Sequence, residues 1–178
     1  MKDITKWSLI AFFACVGLAV LSNNNDAVPV RAVDAPQRVV INTPHYAATE
    51  EQYAISMRPI TSGYSNAFSA LTELTDAASD NTALLLDKAW RADVANATTQ
   101  IKFTDKKVRA LEAPPRLEGI HNSMVRASYH FDTACDLLLE GIDDLDVDKM
   151  IGAASETSLG QADIDDALNK LNLFVDSN

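Results

Sequence analysis

The chain has 178 residues, 47% of them hydrophobic, enough for one domain with its own core and too apolar for global disorder. Its formal net charge of −10 sets it against phosphate backbones and anionic membrane surfaces, so nucleic-acid binding is excluded as its main work. The two cysteines are Cys15, within an apolar N-terminus, and Cys135, which excludes a disulfide framework inside the soluble part.

Lys2 and Lys6 precede an apolar run over residues 7–21, broken only by Ser8, and Ser22-Asn23-Asn24-Asn25-Asp26 follows as a polar stop. A basic, an apolar and a polar region in that order read as a secretory signal. The run is short for a membrane span of about 20 residues, though Ile4 and Thr5 extend it, so an uncleaved anchor is the alternative. Residues 1–22 are therefore expected to be a signal peptide or membrane anchor. The protein is expected to be exported, to the cell envelope or beyond, and to meet the membrane through this segment. Ala14-Cys15 fits the last step of a lipoprotein signal, but Phe12, Phe13 and the apolar run beyond Cys15 depart from it.

Residues 23–44 carry Pro29, Pro36 and Pro44 without helical or alternating periodicity, and read as an extended linker. Residues 45–178 read as an all-α, antiparallel up-down four-helix bundle. The first helix starts near Thr43 or Thr49, with Pro44 suited to a first turn. Its apolar stripe is Met57, Ile60, Tyr64, Ala67, Leu71, Leu74 and Ala78, with a kink or break expected near Pro59. Ser79-Asp80-Asn81-Thr82 is a polar turn, and Leu84-Leu85-Leu86 is expected to close one end of the core. The second helix shows Trp90, Val94, Ala97, Ile101, Thr104, Val108 and Leu111, and ends before Pro114-Pro115.

The third helix has the most regular seam: Leu117, Ile120, Met124, Ala127, Phe131, Ala134 and Leu138, in alternating steps of 3 and 4. Such spacing packs a helix lengthwise against others. Gly141 is placed as its C-cap, and Asp146 as the N-cap of the fourth helix. There the seam is Val147, Met150, Ala154, Thr157, Gln161, Ile164, Leu168, Leu171 and Val175, apolar at both ends and polar in the middle. Short connections make neighbours antiparallel.

Candidate ligand sets are sparse. Glu118-Gly119-Ile120-His121 is one E-x-x-H, whereas a di-iron bundle needs two. Asp144, Asp146 and Asp148 occupy positions 1, 3 and 5 of a calcium loop, but Lys149 and Ser155 stand where Gly and Glu are required. His130, Asp132 and Cys135 lie close in sequence but do not share a helix face. No C-x-x-C-H, nucleophile elbow or phosphate loop is present. Lys106, Lys107 and Arg109 form the tightest basic cluster and read as a solvated helix face. Thr157 and Gln161, with Thr104, mark a polar layer or a recognition groove.

The segment from Leu111 through Ala113-Pro114-Pro115-Arg116 to His121, followed by Gly141-Ile142-Asp143 and Asp146-Val147-Asp148-Lys149, resembles a pattern in uncharacterised bacterial exported or lipid-anchored helical-bundle proteins, over residues 53–171. The resemblance implies export and carries no activity, so no functional residue is transferred. Two functions follow as expectations. The first is a non-catalytic extracytoplasmic bundle, without a cofactor, that binds a protein partner or scaffolds the envelope. The alternative is a bundle that holds a small ligand, haem or metal.

Overall fold

The structure, a computed structural model, describes residues 45–176, with side chains over 50–174. The described residues form four α-helices and no strand: α1 His45–Asp80, α2 Lys88–Ala110, α3 Glu118–Asp144 and α4 Val147–Asp176. Single 3-10 turns at Thr82–Leu86 and Pro115–Leu117 join the first three. The signal or anchor expected over 1–22, the linker over 23–44 and Cys15 all lie outside the described residues. No described helix is long and apolar enough to cross a membrane.

Local chemistry sets the boundaries. The Asn81 side chain accepts from the Ala83 N–H at 3.2 Å and opens the first 3-10 turn. Asp87 Oδ1 accepts from the N–H groups of Ala89 and Trp90, both at 2.9 Å, which satisfies two of the orphan donors of α2. Asp146 caps α4 as expected, accepting from Asp148 N–H at 3.0 Å and Lys149 N–H at 3.2 Å.

α1 runs through Pro59 without a break, so of the kink or break expected there the break is excluded, and one further local expectation is corrected. Pro59 and Ile55 both face solvent, so the Ile55 carbonyl that loses its partner is left where water can reach it. Gly141 is not the cap of α3: it is buried within the helix, and the chain turns at Leu145, whose φ of 54° is left-handed. The reason Gly141 is glycine is proximity. A Cβ there would lie 2.9 Å from Met150 Cγ and 3.1 Å from the Asp146 carbonyl oxygen.

Cross-helix pairs show that consecutive helices run antiparallel. Leu74 meets Trp90 and Tyr64 meets Asp105 between α1 and α2. Arg91 reaches the Ile142 carbonyl and Arg109 that of Ser128 between α2 and α3. Arg126 meets Asp163 and His130 meets Glu156 between α3 and α4. The core follows the seams expected for α1, α2 and α3, centred on the fully buried Val94, Ile101 and Val108. Each of these stabilises the fold by roughly 1.5–3 kcal/mol relative to an exposed position.

The fourth seam is rotated from its expected place. Ala153, Thr157, Gly160 and Ala167 are buried, whereas Leu168 is 51% and Leu171 40% exposed. Small residues bring α4 hard against α3: a Cβ on Gly160 would stand 2.5 Å from Phe131 Cε1. The larger residues of α4 are left beside α1, which α4 does not closely approach. The four-helix fold is thus tightly joined along three of its seams and open along the fourth.

Candidate functional site

The open seam between α1 and α4 holds a cavity of about 230 Å³. Tyr64 and Phe68 of α1 and Ile164 and Leu168 of α4 form its sides, and Met124 and Phe131 of α3 its floor. Thr61, Ser65 and Gln161 add the polar atoms. Apart from the Tyr64 phenol, the lining contains no ionisable side chain. Concave, mainly apolar clefts with few polar groups are the usual form of small-molecule sites between helices.

Three aromatic rings fix the inner wall. Phe68 and Phe131 meet edge to face with centroids 4.8 Å apart, and Tyr64 packs on both, at 6.0 Å from Phe68 and 5.7 Å from Phe131. Behind the Phe68–Phe131 pair lies a void of about 10 Å³ walled in part by Cys135 and Thr157, room for no more than about one water. Burial, with the Asp105 charge adding to it, pushes the Cys135 thiol well above its ordinary range, so it stays protonated and a poor nucleophile.

Tyr64 also turns outward from the groove to a charged cluster. Its hydroxyl donates to Asp105 Oδ1 at 2.5 Å. Asp105 has no solvent exposure, and its Oδ2 has no hydrogen-bond partner. Burial pushes the carboxyl up to about 7, against the pull of the Tyr64 hydrogen bond and the Arg109 charge. Burial, then Asp105, drives the Tyr64 phenol far above its ordinary value. Arg109 is held by Asp132 at 3.2 Å, and Lys102 by Asp136 at 2.6 Å and Asp132 at 3.2 Å.

The residues singled out from the sequence are placed apart from one another. His121 is buried, and Tyr53 Oη lies 2.9 Å from its Nδ1. Burial lowers the His121 pKa against a backbone hydrogen bond at Leu111, and raises Tyr53 to about 12. Glu118 is exposed in the first turn of α3. Asp146 caps α4, Asp144 holds Lys149 at 2.7 Å, and Asp148 is exposed. Among the described residues, no three His, Cys, Asp or Glu side chains converge where they could hold a metal. Gln161 lines the groove and Thr157 the void behind it, but Thr104 packs beside Gly63 and donates to the Gln100 carbonyl. Lys106 and Lys107 are exposed, as a solvated face requires, while Arg109 turns inward to Asp132.

One cluster has the outline of a serine–lysine pair. Lys170 Nζ stands 2.9 Å from Ser123 Oγ. However, Ser123 is fully buried and its hydroxyl donates to Asp166 at 2.6 Å. Asp166 also holds Lys170 at 2.6 Å, and the Lys170 and Ser123 hydrogen bonds draw its carboxyl down to about 2. An ion-paired ammonium beside an inaccessible hydroxyl clamps α3 to α4 and has neither a free base nor an open nucleophile.

Asp105 is the site residue that periodicity misses. It follows Ile101 by four and precedes Val108 by three, so it shares the inward side of the apolar seam with its neighbour Thr104. Comparison with known proteins found no matching family model, no matching curated protein and no matching solved structure.

Proposed function

We propose that this chain is a non-catalytic binding protein of the cell envelope, an up-down antiparallel bundle that takes an apolar ligand into the α1/α4 groove. The groove is the observation that carries this: a 230 Å³ apolar cleft, floored by α3, where a closed bundle would bury Leu168 against α1. The address rests on Lys2, Lys6 and the apolar run after them, with residues 23–44 as tether. The resemblance to exported helical proteins points the same way.

Titrating the full chain with the neutral dye N-phenyl-1-naphthylamine tests the groove. Saturable fluorescence enhancement near one dye per chain is expected. Ser65→Trp, which fills the cleft, should abolish it and leave the far-UV circular dichroism unchanged. No saturable enhancement, or full enhancement in the variant, would overturn the proposal. Mass spectrometry of the N-terminus from native cells tests the address: a start at residue 20 or 23, or a retained apolar segment in the membrane fraction, is expected, and an intact chain in the cytosol refutes it.

A second reading has its own support. Leu168 and Leu171 are 51% and 40% exposed on one side of the last turns of α4. An apolar edge of this kind suits a protein partner at the envelope, and a pull-down loss on Leu171→Lys would show it.

A further inference from the structure

We infer that the groove is built for an uncharged small molecule with an apolar body and a hydroxyl-type hydrogen-bond donor at one end, an inference that rests on the groove being a ligand site. Size comes first. At about 230 Å³ the cleft lies just under the roughly 300–1,000 Å³ usual for small-molecule sites, so it takes one small molecule. The aromatic wall of Tyr64, Phe68 and Phe131 and the aliphatic side of Ile164 and Leu168 contact only the body.

Charge comes second. No ionisable side chain lines the cleft apart from Tyr64, whose phenol is turned to Asp105 and held in its neutral form. An anionic head would find no cation there and would face a chain of net charge −10. A cationic head would find no carboxylate in the lining, so its desolvation would go uncompensated.

Hydrogen-bond polarity comes third. Thr61 Oγ1 already donates its proton to the Arg58 carbonyl at 2.9 Å, which leaves the oxygen as an acceptor. Gln161 Nε2 uses one of its two N–H groups on Asp165 Oδ1 at 3.0 Å, so the amide keeps one donor and the Oε1 acceptor. Ser65 supplies a hydroxyl able to do either. Thr61, Ser65 and Gln161 can each accept, whereas only Ser65 and Gln161 can still donate, so a ligand that can donate matches the cleft better than one that can only accept.

Four probes of equal or near-equal size separate these claims on the full chain: 1-octanol, heptyl methyl ether, octanoate and octylammonium. Binding is read from methyl chemical shifts of Ile164 and Leu168, which report the cleft alone. Octanol is expected to bind at least about tenfold tighter than either charged probe and about threefold or more tighter than the ether. Gln161→Leu with Ser65→Ala should bring octanol down to the ether. Octanoate or octylammonium binding as tightly as octanol overturns the uncharged-ligand claim. An ether equal to octanol overturns the donor claim. If none of the four moves the two methyl signals, the groove itself is not a ligand site.

Discussion

Tyr64 donates to Asp105 across the α1/α2 interface at 2.5 Å, and the acceptor is a carboxyl group with no exposure and one unpartnered oxygen. The acid is raised from 3.8 to about 7, first by burial. Folding therefore takes up a proton between those two values, and the linkage has a definite sign. The folded state binds more protons than the unfolded chain there, so this group's contribution is complete below about pH 4 and is lost as pH rises to 7. Asp105→Asn cannot titrate. Its stability relative to the native sequence should rise by up to about 4 kcal/mol between pH 4 and pH 8. Urea unfolding at the two pH values measures this, and a pH-independent difference would contradict it.

The hydroxyl of Tyr64 can be removed with its ring kept. Tyr64→Phe leaves the stacking on Phe68 and Phe131 in place but strips Asp105 Oδ1 of its donor. Because that hydrogen bond lowers the Asp105 pKa, its loss should move the carboxyl midpoint further up, which carbon-13 NMR of the carboxyl can follow. Above pH 8 the ionised acid would be buried with less support, at a cost of roughly 1.5–3 kcal/mol. Below pH 5 the cost should shrink.

These two residues also show where the sequence is legible. The seams of α1, α2 and α3 were readable because large apolar side chains recur at 3-4 spacing, and those positions are inside. Asp105 was not, because an acid next to an apolar stripe is by default a solvated one, and only the partner helices reveal that it faces inward. α4 misled for the opposite reason. Its inner face is Ala153, Thr157, Gly160 and Ala167, residues with little hydropathy, while the more conspicuous Leu168 and Leu171 border the open seam. The groove depends on that mismatch: the sequence marks Gln161 as a groove residue, while Tyr64, Met124, Phe131, Ile164 and Leu168 read only as seam positions.

The mismatch makes two glycines of α4 behave differently. Alanine at Gly160 would place its Cβ 2.5 Å from Cε1 and 2.7 Å from Cδ1 of Phe131, so the ring must leave its packing on Tyr64 and Phe68 and shift toward the groove. Gly160→Ala should destabilise by about 1–3 kcal/mol despite better helix propensity, and should weaken dye binding because Phe131 floors the groove. Alanine at Gly152 meets only Leu137 Cδ1 at 3.4 Å. Gly152→Ala should stabilise by about 0.5–1 kcal/mol. Guanidinium unfolding of the pair decides, and the same sign in both would refute the close α3/α4 approach.

Leu145 ends α3 with φ 54° and ψ 37°, the one positive-φ residue other than glycine among those described. Its N–H reaches the Gly141 carbonyl, and the next N–H, from Asp146, reaches the same oxygen at 2.8 Å. The turn is therefore held by backbone hydrogen bonds that any side chain permits, while the left-handed conformation costs a Cβ-bearing residue about 1–2 kcal/mol. The Leu145 side chain is 51% exposed and recovers little of this by burial. Leu145→Gly removes the steric cost and adds some freedom to the unfolded chain, for an expected net gain of about 0.5–1 kcal/mol. Leu145→Asn, which tolerates the same region, should gain less, and Leu145→Val, branched at Cβ, should lose stability. Thermal unfolding that ranks Gly above Asn, Leu and Val confirms that the turn is set by backbone geometry. A loss of stability in the glycine variant would instead mean that the leucine side chain holds the α3/α4 junction.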